Sequence, residues 1–247
     1  MTKRDFTERY SGSVLGVVWT FIWPLVSIFI YTVIFSQVMG ARLKGSSQTY
    51  SYGIYLVAGI LPWNAFVNTV TRSSTVFVDK KHILSKIRVS LTSLPLYIVM
   101  SESVTFGITL LIYLCFLLLT GTPINKTIFL VPVIYVVQQI FAYALGFFIA
   151  IFHVFIRDLR EVVAIVLQIW FWFTPIVYVY DILPDFAKQL VVFNPAFLFI
   201  KSYQDIFVLN RVPDFLHLLV LAAGAHILLL VAYFIFKKLE KDIRDFI

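Results

Sequence analysis

Six long apolar runs constrain this chain more than any other feature; they cover residues 14–40, 53–78, 94–119, 128–155, 162–180 and 215–236. Each run has about the 20 residues that a helix needs to cross a bilayer. The runs lack the alternation of barrel strands, and lipid offers no water to unpaired backbone groups, so each is predicted to be a helix. Only 13% of the residues are charged, against about 25% in soluble proteins. The sequence therefore predicts an all-α polytopic membrane protein.

The basic residues predict the orientation, because an even number of spans leaves both termini on one side. Thirteen basic residues share that side, namely Lys3, Arg4, Arg9, Lys80, Lys81, Lys86, Arg88, Arg157, Arg160, Lys237, Lys238, Lys241 and Arg244. Six lie on the other side: Arg42, Lys44, Lys126, Lys188, Lys201 and Arg211. Cytoplasmic loops are enriched in Lys and Arg, so the termini are predicted to be cytoplasmic. The net charge of +7 thus reflects orientation, and no nucleic-acid partner is expected.

The N-terminal residues 1–13 have the pattern of an amphipathic helix that lies on the membrane surface. Phe6, Tyr10, Val14 and Val17 recur at helical spacing, with Lys3, Arg4, Asp5, Glu8 and Arg9 between and before them. The alternative is a basic leader that serves only insertion. We predict a single transmembrane domain over residues 1–247, with this interface helix, a six-span body over 14–236 and a cytoplasmic tail over 237–247.

A further apolar stretch, Gln189 to Leu209, is nearly long enough for a seventh span, but it contains Asn194-Pro195, Lys201 and Asp205. A seventh span would also move the basic tail to the outer side. We therefore predict two short helices broken at Asn194-Pro195, which dip into the outer half of the membrane between spans five and six.

Catalytic motifs are missing from the sequence. It contains no H-E-x-x-H, G-x-S-x-G or C-x-x-C, and Cys115 is its single cysteine. Residues 40–47, GARLKGSS, have the glycine spacing of a phosphate loop but lack the Lys after the second Gly. We expect no catalytic residue, metal site or cofactor in this chain, and any ATP must be hydrolysed by another polypeptide.

The second span carries a polar stripe. Asn64, Asn68, Thr71, Arg72 and Thr75 share one helical face. This face either lines a wet path or hydrogen-bonds to neighbouring helices, and the chemistry alone leaves both open. An Arg within a span is costly unless it meets water, an anion or a carboxylate such as Glu102 in the third span.

Three groups of residues resemble the membrane-spanning subunits of type-2 ATP-binding-cassette exporters that move polysaccharides, and the resemblance covers nearly the whole chain. The most specific run is RDFTERYSGSVLGVVWTFIWP, from Arg4 to Pro24. A second group is Gly59, Pro62-Trp63-Asn64 and Phe66. The third comprises Arg157-Asp158-Leu159, Gln168, Thr174-Pro175-Ile176, Tyr178, Leu183-Pro184 and Asn194-Pro195. Two departures are Val89-Ser90, where the family usually has Phe-Pro, and Tyr203-Gln204, where it often has an aromatic residue followed by Arg.

The resemblance implies the permease half of an ATP-driven exporter in the cytoplasmic (inner) membrane, with a glycan on a lipid diphosphate, above all O-antigen, as cargo. It implies a homodimer with the path along its axis and two ATP-binding subunits, which hold ATP and Mg²⁺. The path would involve Tyr31, Phe35, Trp63, Asn64, Phe66, Asn68 and Arg72, and the outer gate Asn194, Pro195 and Tyr203. The ATPase would act through Lys86, Arg88, Arg157, Asp158, Arg160 and Glu161, while Arg4, Asp5, Arg9 and Tyr10 meet lipid headgroups.

Three alternatives remain open at this point. The first is a small-molecule or drug exporter of the same superfamily, which does not usually carry the Arg4 to Pro24 run. The second is a membrane-embedded transferase acting on lipid-linked sugars, for which Asp181 and Asp185 are the nearest carboxylate pair. The third is a channel or secondary transporter that works without an ATPase.

Overall fold

The computed structural model of the chain describes residues 2, 5, 16–38, 50–84 and 90–246. Regular structure across these residues is helical, and no strand occurs among them, which confirms the predicted all-α class. The helices in chain order are α1 (Trp19–Phe29), which continues as a π-helix (Ile30–Val38), α2 (Ser51–Asp79), α3 (Lys81–Leu84), α4 (Leu94–Leu119), α5 (Val131–His153), α6 (Leu159–Trp172), α7 (Asp185–Val191), α8 (Pro195–Phe207) and α9 (Phe215–Phe246). Short 3₁₀ turns lie at Gly16–Val18, Leu91–Ser93, Lys126–Leu130 and Tyr180–Ile182.

Four helical segments of the described part are long and apolar enough to cross a membrane. They are Ser51–Asp79, Leu91–Leu119, Lys126–His153 and Phe215–Phe246. They confirm the second, third, fourth and sixth predicted spans by length and composition.

The first and fifth predicted spans differ from a long α-helix. The first contains a shorter apolar helix, Trp19–Ile34, whose internal Pro24 has no N–H to donate. The fifth, expected over 162–180, is the 14-residue α6, which ends at Trp172. Proline disfavours the helical conformation of the residue before it, and Pro175 lies three residues after the helix end. The expectation of a helix through residue 180 is therefore wrong at its C-terminal end.

Tyr and Gln side chains satisfy the irregular backbone of residues 173–179. The Tyr55 hydroxyl on α2 lies 3.0 Å from the carbonyl oxygen of Tyr178 and 3.2 Å from that of Pro175. Gln204 on α8 donates from Nε2 to the same Pro175 oxygen at 3.3 Å. Irregular backbone at membrane depth is tolerated where protein supplies such partners. These bonds explain how the chain can leave the helix at this point.

The segment 189–209 forms two helices, α7 and α8, that are separated at residues 192–194. The Asn194 side chain caps α8 by accepting a hydrogen bond from the Ala196 N–H at 3.0 Å, and Pro195 occupies the first turn. Lys201 places Nζ 5.9 Å from the ring centres of Tyr180 and Phe197, a cation–π arrangement. The predicted break at Asn194-Pro195 is confirmed.

Helix α9 is continuous from Phe215 to Phe246, so the last predicted span and the expected tail over 237–247 share one helix as far as residue 246. Ile243 is fully buried in a hydrophobic cluster that also contains residues of α2, α4 and α5, and the Phe246 ring lies 5.2 Å from that of Phe155. The C-terminal turns of α9 therefore pack on the end of the helix bundle at which α5 ends.

Helix α2 occupies the centre of the fold. It packs against α4, α5, α8 and the π-helix, and its residues contribute to all three hydrophobic clusters of the core. Burial on nearly every side leaves a single exposed strip on this helix. The composition of that strip defines the candidate site.

Candidate functional site

The polar stripe of α2 coincides with the one face of this helix that the fold leaves uncovered. Asn64 and Asn68 are exposed, and Val67, Thr71 and Arg72 are partly exposed, whereas nearly all other positions from 53 to 77 are buried. A polar face inside a span is costly against lipid, so it requires water, a ligand or another polar surface. The predicted stripe is thus accessible at Asn64, Asn68, Thr71 and Arg72, whereas Thr75, which was predicted on the same face, is buried.

A first cavity, which we call the α4 cleft, lies between α1, α2 and α4. Its empty volume is about 930 Å³. Its polar lining is Thr20, Ser27, Asn64, Asn68, Glu102, Thr105 and Thr109, and its aromatic lining is Trp19, Trp23, Tyr31 and Phe106. Rings beside amides and hydroxyls are suited to the apolar faces and hydroxyl groups of sugars.

A second cavity, which we call the α6 cleft, lies between the π-helix, α2 and α6. Its empty volume is about 800 Å³, and its lining is Tyr31, Ile60, Trp63, Asn64, Val67, Thr71, Ala164, Leu167, Gln168 and Phe171. Tyr31 and Asn64 line both clefts. The exposed face of α2 therefore connects the two cavities.

The aromatic path candidates differ in their surroundings. Trp63 and Phe66 are buried, with their ring centres 6.4 Å and 5.6 Å from Trp170, and Phe66 stacks on Phe141 at 6.0 Å. Trp63 still borders the α6 cleft, whereas Phe66 lines neither cleft. The side chain of Phe35 lies outside the described ones. Tyr31 is the candidate that reaches both cavities.

Arg72 is held by two carboxylates. Its Nη1 donates to Glu102 Oε1 at 2.7 Å, and its Nη2 donates to Asp5 Oδ1 at 2.5 Å. Ser101 Oγ donates to Asp5 Oδ2 at 2.6 Å, and Glu102 lines the α4 cleft together with Asn68. Glu102 is therefore the partner that the sequence offered for Arg72, and Asp5 is a second partner. We call Asp5, Arg72, Ser101 and Glu102 the charged cluster.

Asn194 joins the end of α6 to the start of α8. Trp170 Nε1 donates to Asn194 Oδ1 at 2.7 Å, and Asn194 Nδ2 donates to Thr174 Oγ1 at 3.0 Å. Tyr203 is fully buried and donates to Gln138 Oε1 at 2.9 Å, so it connects α8 to α5 away from both clefts. Of the residues predicted for an outer gate, Asn194 thus holds the start of the 173–179 segment, whereas Tyr203 joins two helices in the core.

A family model described as ABC-2 type transporter matches residues 1–208. The chain belongs to this family. Two similar proteins are O-antigen export system permease proteins RfbA. The one from Myxococcus xanthus is 29% identical over 99% of this chain and 93% of its own length. The one from Klebsiella pneumoniae is 30% identical over 97% of this chain and 90% of its own length.

The ABC-2 family works with an ATP-binding subunit. The turn between α5 and α6 contains four of the residues that were predicted to couple to that subunit. Arg157, Asp158, Arg160 and Glu161 are all exposed there. Asp158 stands at the N-cap position of α6, but its side chain makes no capping hydrogen bond. These charges are therefore available to another surface. Lys86 and Arg88 of the other predicted coupling loop lie outside the described residues, as do Arg4, Arg9 and Tyr10.

Gln168 is a cleft residue that the sequence pattern did not assign to the path. It is exposed on α6 and lines the α6 cleft opposite Asn64 and Thr71. The sequence does contain a signal for it, because Gln168 is the single amide in the apolar run from Val162 to Trp172. Among the described residues, no group of three or more His, Cys, Asp or Glu side chains could hold a metal ion.

Proposed function

We propose that this chain is the permease subunit of a polysaccharide ABC exporter, with a lipid-linked glycan of the O-antigen class as its cargo. The proposal is supported by the ABC-2 family match and by relatives that are named O-antigen export permeases over nearly the whole chain. The subunit supplies the membrane path, and a partner subunit with bound ATP and Mg²⁺ supplies the energy.

The proposed architecture has six spans in the inner membrane with both termini in the cytoplasm. To the four long spans we add α1 with its π-helix and α6 with the 173–179 segment, and we treat α7 and α8 as the re-entrant pair. Six helices cannot readily enclose a channel wide enough for a hydrated glycan, and the described residues of one copy form open clefts. A two-fold homodimer, joined by two ATP-binding subunits, therefore encloses the path.

The observation that carries the assignment of the path is the uncovered polar face of α2. It presents Asn64 and Asn68 to cavities that Tyr31 also lines, while Trp63 borders the α6 cleft. We assign Asn64, Asn68, Tyr31, Trp63 and Gln168 to the path. A surface of this kind exchanges hydrogen bonds with successive sugars without holding any one of them tightly.

Cysteine accessibility tests the path. In a Cys115→Ser background, Asn68→Cys is expected to react with a water-soluble thiol reagent, because thiols react as thiolates and these need water. Leu111→Cys is the matched control, since Leu111 is 64% exposed on α4 but lines neither cleft, and a thiol facing lipid should remain unreactive.

Modification at position 68 should also reduce the delivery of polysaccharide to the cell surface while the partner subunit continues to hydrolyse ATP. Equal reactivity at positions 68 and 111, or unchanged export after complete modification at 68, would remove the polar face of α2 from the path.

A further inference from the structure

The charged cluster brings two carboxylates to the Arg72 guanidinium. Glu102 and Asp5 each accept a hydrogen bond from it, at 2.7 Å and 2.5 Å. Glu102 is 1% exposed and Asp5 is 7% exposed, whereas the Arg72 side chain keeps 27% of its surface. Two acidic groups and one basic group thus share a region that is largely shielded from water.

The cluster lies within the bundle, away from its cytoplasmic edge. Arg72 precedes the last residue of α2, Asp79, by seven positions, and Glu102 follows the first residue of α4, Leu94, by eight. At 1.5 Å per residue, both side chains start about 10 Å from the cytoplasmic ends of their helices. Asp5 therefore reaches a depth at which a charge is costly without a partner.

Among the described residues, Glu102 and Asp5 both pair with Arg72, and Asp5 also bonds to Ser101. What Asp5 adds is a connection, because it lies 67 positions before Arg72 and 96 before Ser101 and bonds to both. These bonds attach the chain at residue 5 to α2 and α4 together.

We propose that Asp5 is a positioning residue, which tethers the N-terminal end of the chain to Arg72 and Ser101 and thereby fixes the polar face of α2. The connection to that face is short, since Arg72 belongs to it and bonds to Glu102, and Glu102 lines the α4 cleft together with Asn68. This inference rests on the proposed function, in which Asn68 belongs to the glycan path.

Loss of the tether should lower export much more than it lowers the stability of the fold. Loss of Asp5 leaves Arg72 paired with Glu102, so the bundle stays folded while residue 5 loses its attachment. Asp5→Asn should therefore change the apparent Tm by only a few degrees. It should lower export by about tenfold or more, the effect of one lost charge-assisted hydrogen bond.

A covalent replacement separates the tether from the charge. Asp5→Cys with Ser101→Cys, in a Cys115→Ser background, places two thiols where the Asp5 carboxylate and the Ser101 hydroxyl now lie 2.6 Å apart. Under reducing conditions this variant should export as poorly as Asp5→Asn. Oxidation to the disulfide should restore export, and reduction should abolish it again.

Glu240→Gln is the matched control, because Glu240 forms an ion pair with Arg244 at 3.0 Å on the cytoplasmic end of α9, far along the chain from both clefts. Such partly exposed pairs contribute little, so neither export nor the apparent Tm should change. Wild-type export by Asp5→Asn or by the reduced double-cysteine variant would overturn the proposal. So would a disulfide that forms without restoring export.

The yield of the disulfide and the apparent Tm report on the tether whether or not a glycan is moved. Efficient cross-linking in a protein whose unmodified form exports no polysaccharide would refute the proposed function and leave the contact itself established. Failure to cross-link in a protein that exports normally would refute the tether alone.

Discussion

Replacing Gly146 should separate α2 from α5, the two helices that form the centre of the bundle. A Cβ atom at position 146 would lie 2.5 Å from Ser73 Cβ and 3.3 Å from the Val70 carbonyl oxygen. Neither atom is the end of a flexible side chain. Gly146→Ala therefore requires a shift of one helix relative to the other, and small residues at such crossings are what allows close packing in membranes.

The magnitude follows from two opposing effects. Overpacking a well-packed site costs about 1–3 kcal/mol, whereas exchanging Gly for Ala within a helix gains about 1 kcal/mol. Gly224→Ala in α9 is the matched control, because a Cβ there would meet no atom within 4 Å. Both variants share the helical gain, so the difference between their stabilities, about 1–3 kcal/mol, isolates the clash.

Thermal unfolding of the purified protein in detergent measures this difference. For a chain of this length, 1 kcal/mol corresponds to about 2–4 °C, so Gly146→Ala should melt about 2–12 °C below Gly224→Ala. Adding Ser73→Gly removes the opposing Cβ and should recover much of the loss. Ser73 Oγ has no hydrogen-bond partner among the described residues, so little bonding is sacrificed. Equal melting of the two alanine variants would refute the close approach of α2 and α5.

Two further predictions concern coupling and orientation. Exchanging the charges of Arg157 and Asp158 should leave the protein assembled with its ATPase but uncouple hydrolysis from export, measured as ATPase rate against surface polysaccharide. The same exchange at Lys241 and Asp242 should have no effect, and normal export by the first variant would remove the α5–α6 turn from the mechanism. In a cysteine-free background, Lys188→Cys should react with an impermeant maleimide in intact cells and Lys241→Cys should not. Labelling at both positions would show that the segment from Gln189 to Leu209 crosses the membrane.

The long apolar helices were the part of the fold that length and composition alone could predict. The third span was expected over 94–119, and α4 has those bounds; the sixth was expected from 215, where α9 begins. Hydropathy suffices in these cases because every backbone bond is made within the helix. The break at Asn194-Pro195 was equally predictable, since proline and an Asn cap act locally.

The end of α6 was not predictable from the same pattern. Residues 173–179 are apolar enough to extend the helix, but Pro175 disfavours it locally, and side chains distant in sequence stabilise the irregular backbone that follows. The Tyr52 and Tyr55 hydroxyls and the Gln204 amide bond to carbonyl oxygens of this segment across 29 or more positions. Hydropathy averages over neighbours and contains no information about such partners.

The candidate site likewise has one part that the sequence could predict and another that it could not. The stripe with Asn64 and Asn68 follows from the helical period, and a Glu102 partner for Arg72 was foreseeable because few ionisable residues lie within spans. The contact of Asp5 with Arg72 was not foreseeable, because the N-terminal pattern predicts only a surface helix. Trp63 and Phe66 were predicted to line the path, but both are buried. Aromatic rings that suit a path also suit packing between helices, so the sequence alone does not separate the two roles.

The distribution of burial separates a rigid part of the subunit from a loosely attached part. Twenty-one residues of α2 are buried, whereas α1 buries only Thr20 and Ile28 and α6 only Val163 and Leu167. Cores are close-packed and resist deformation, so α2 with α5, of which twelve residues are buried, has little freedom to move. Helices α1 and α6 border the two clefts and expose large apolar side chains such as Trp23 and Ile165. In the proposed homodimer, a change in the width of the path therefore requires movement of α1 and α6 against a fixed polar face on α2.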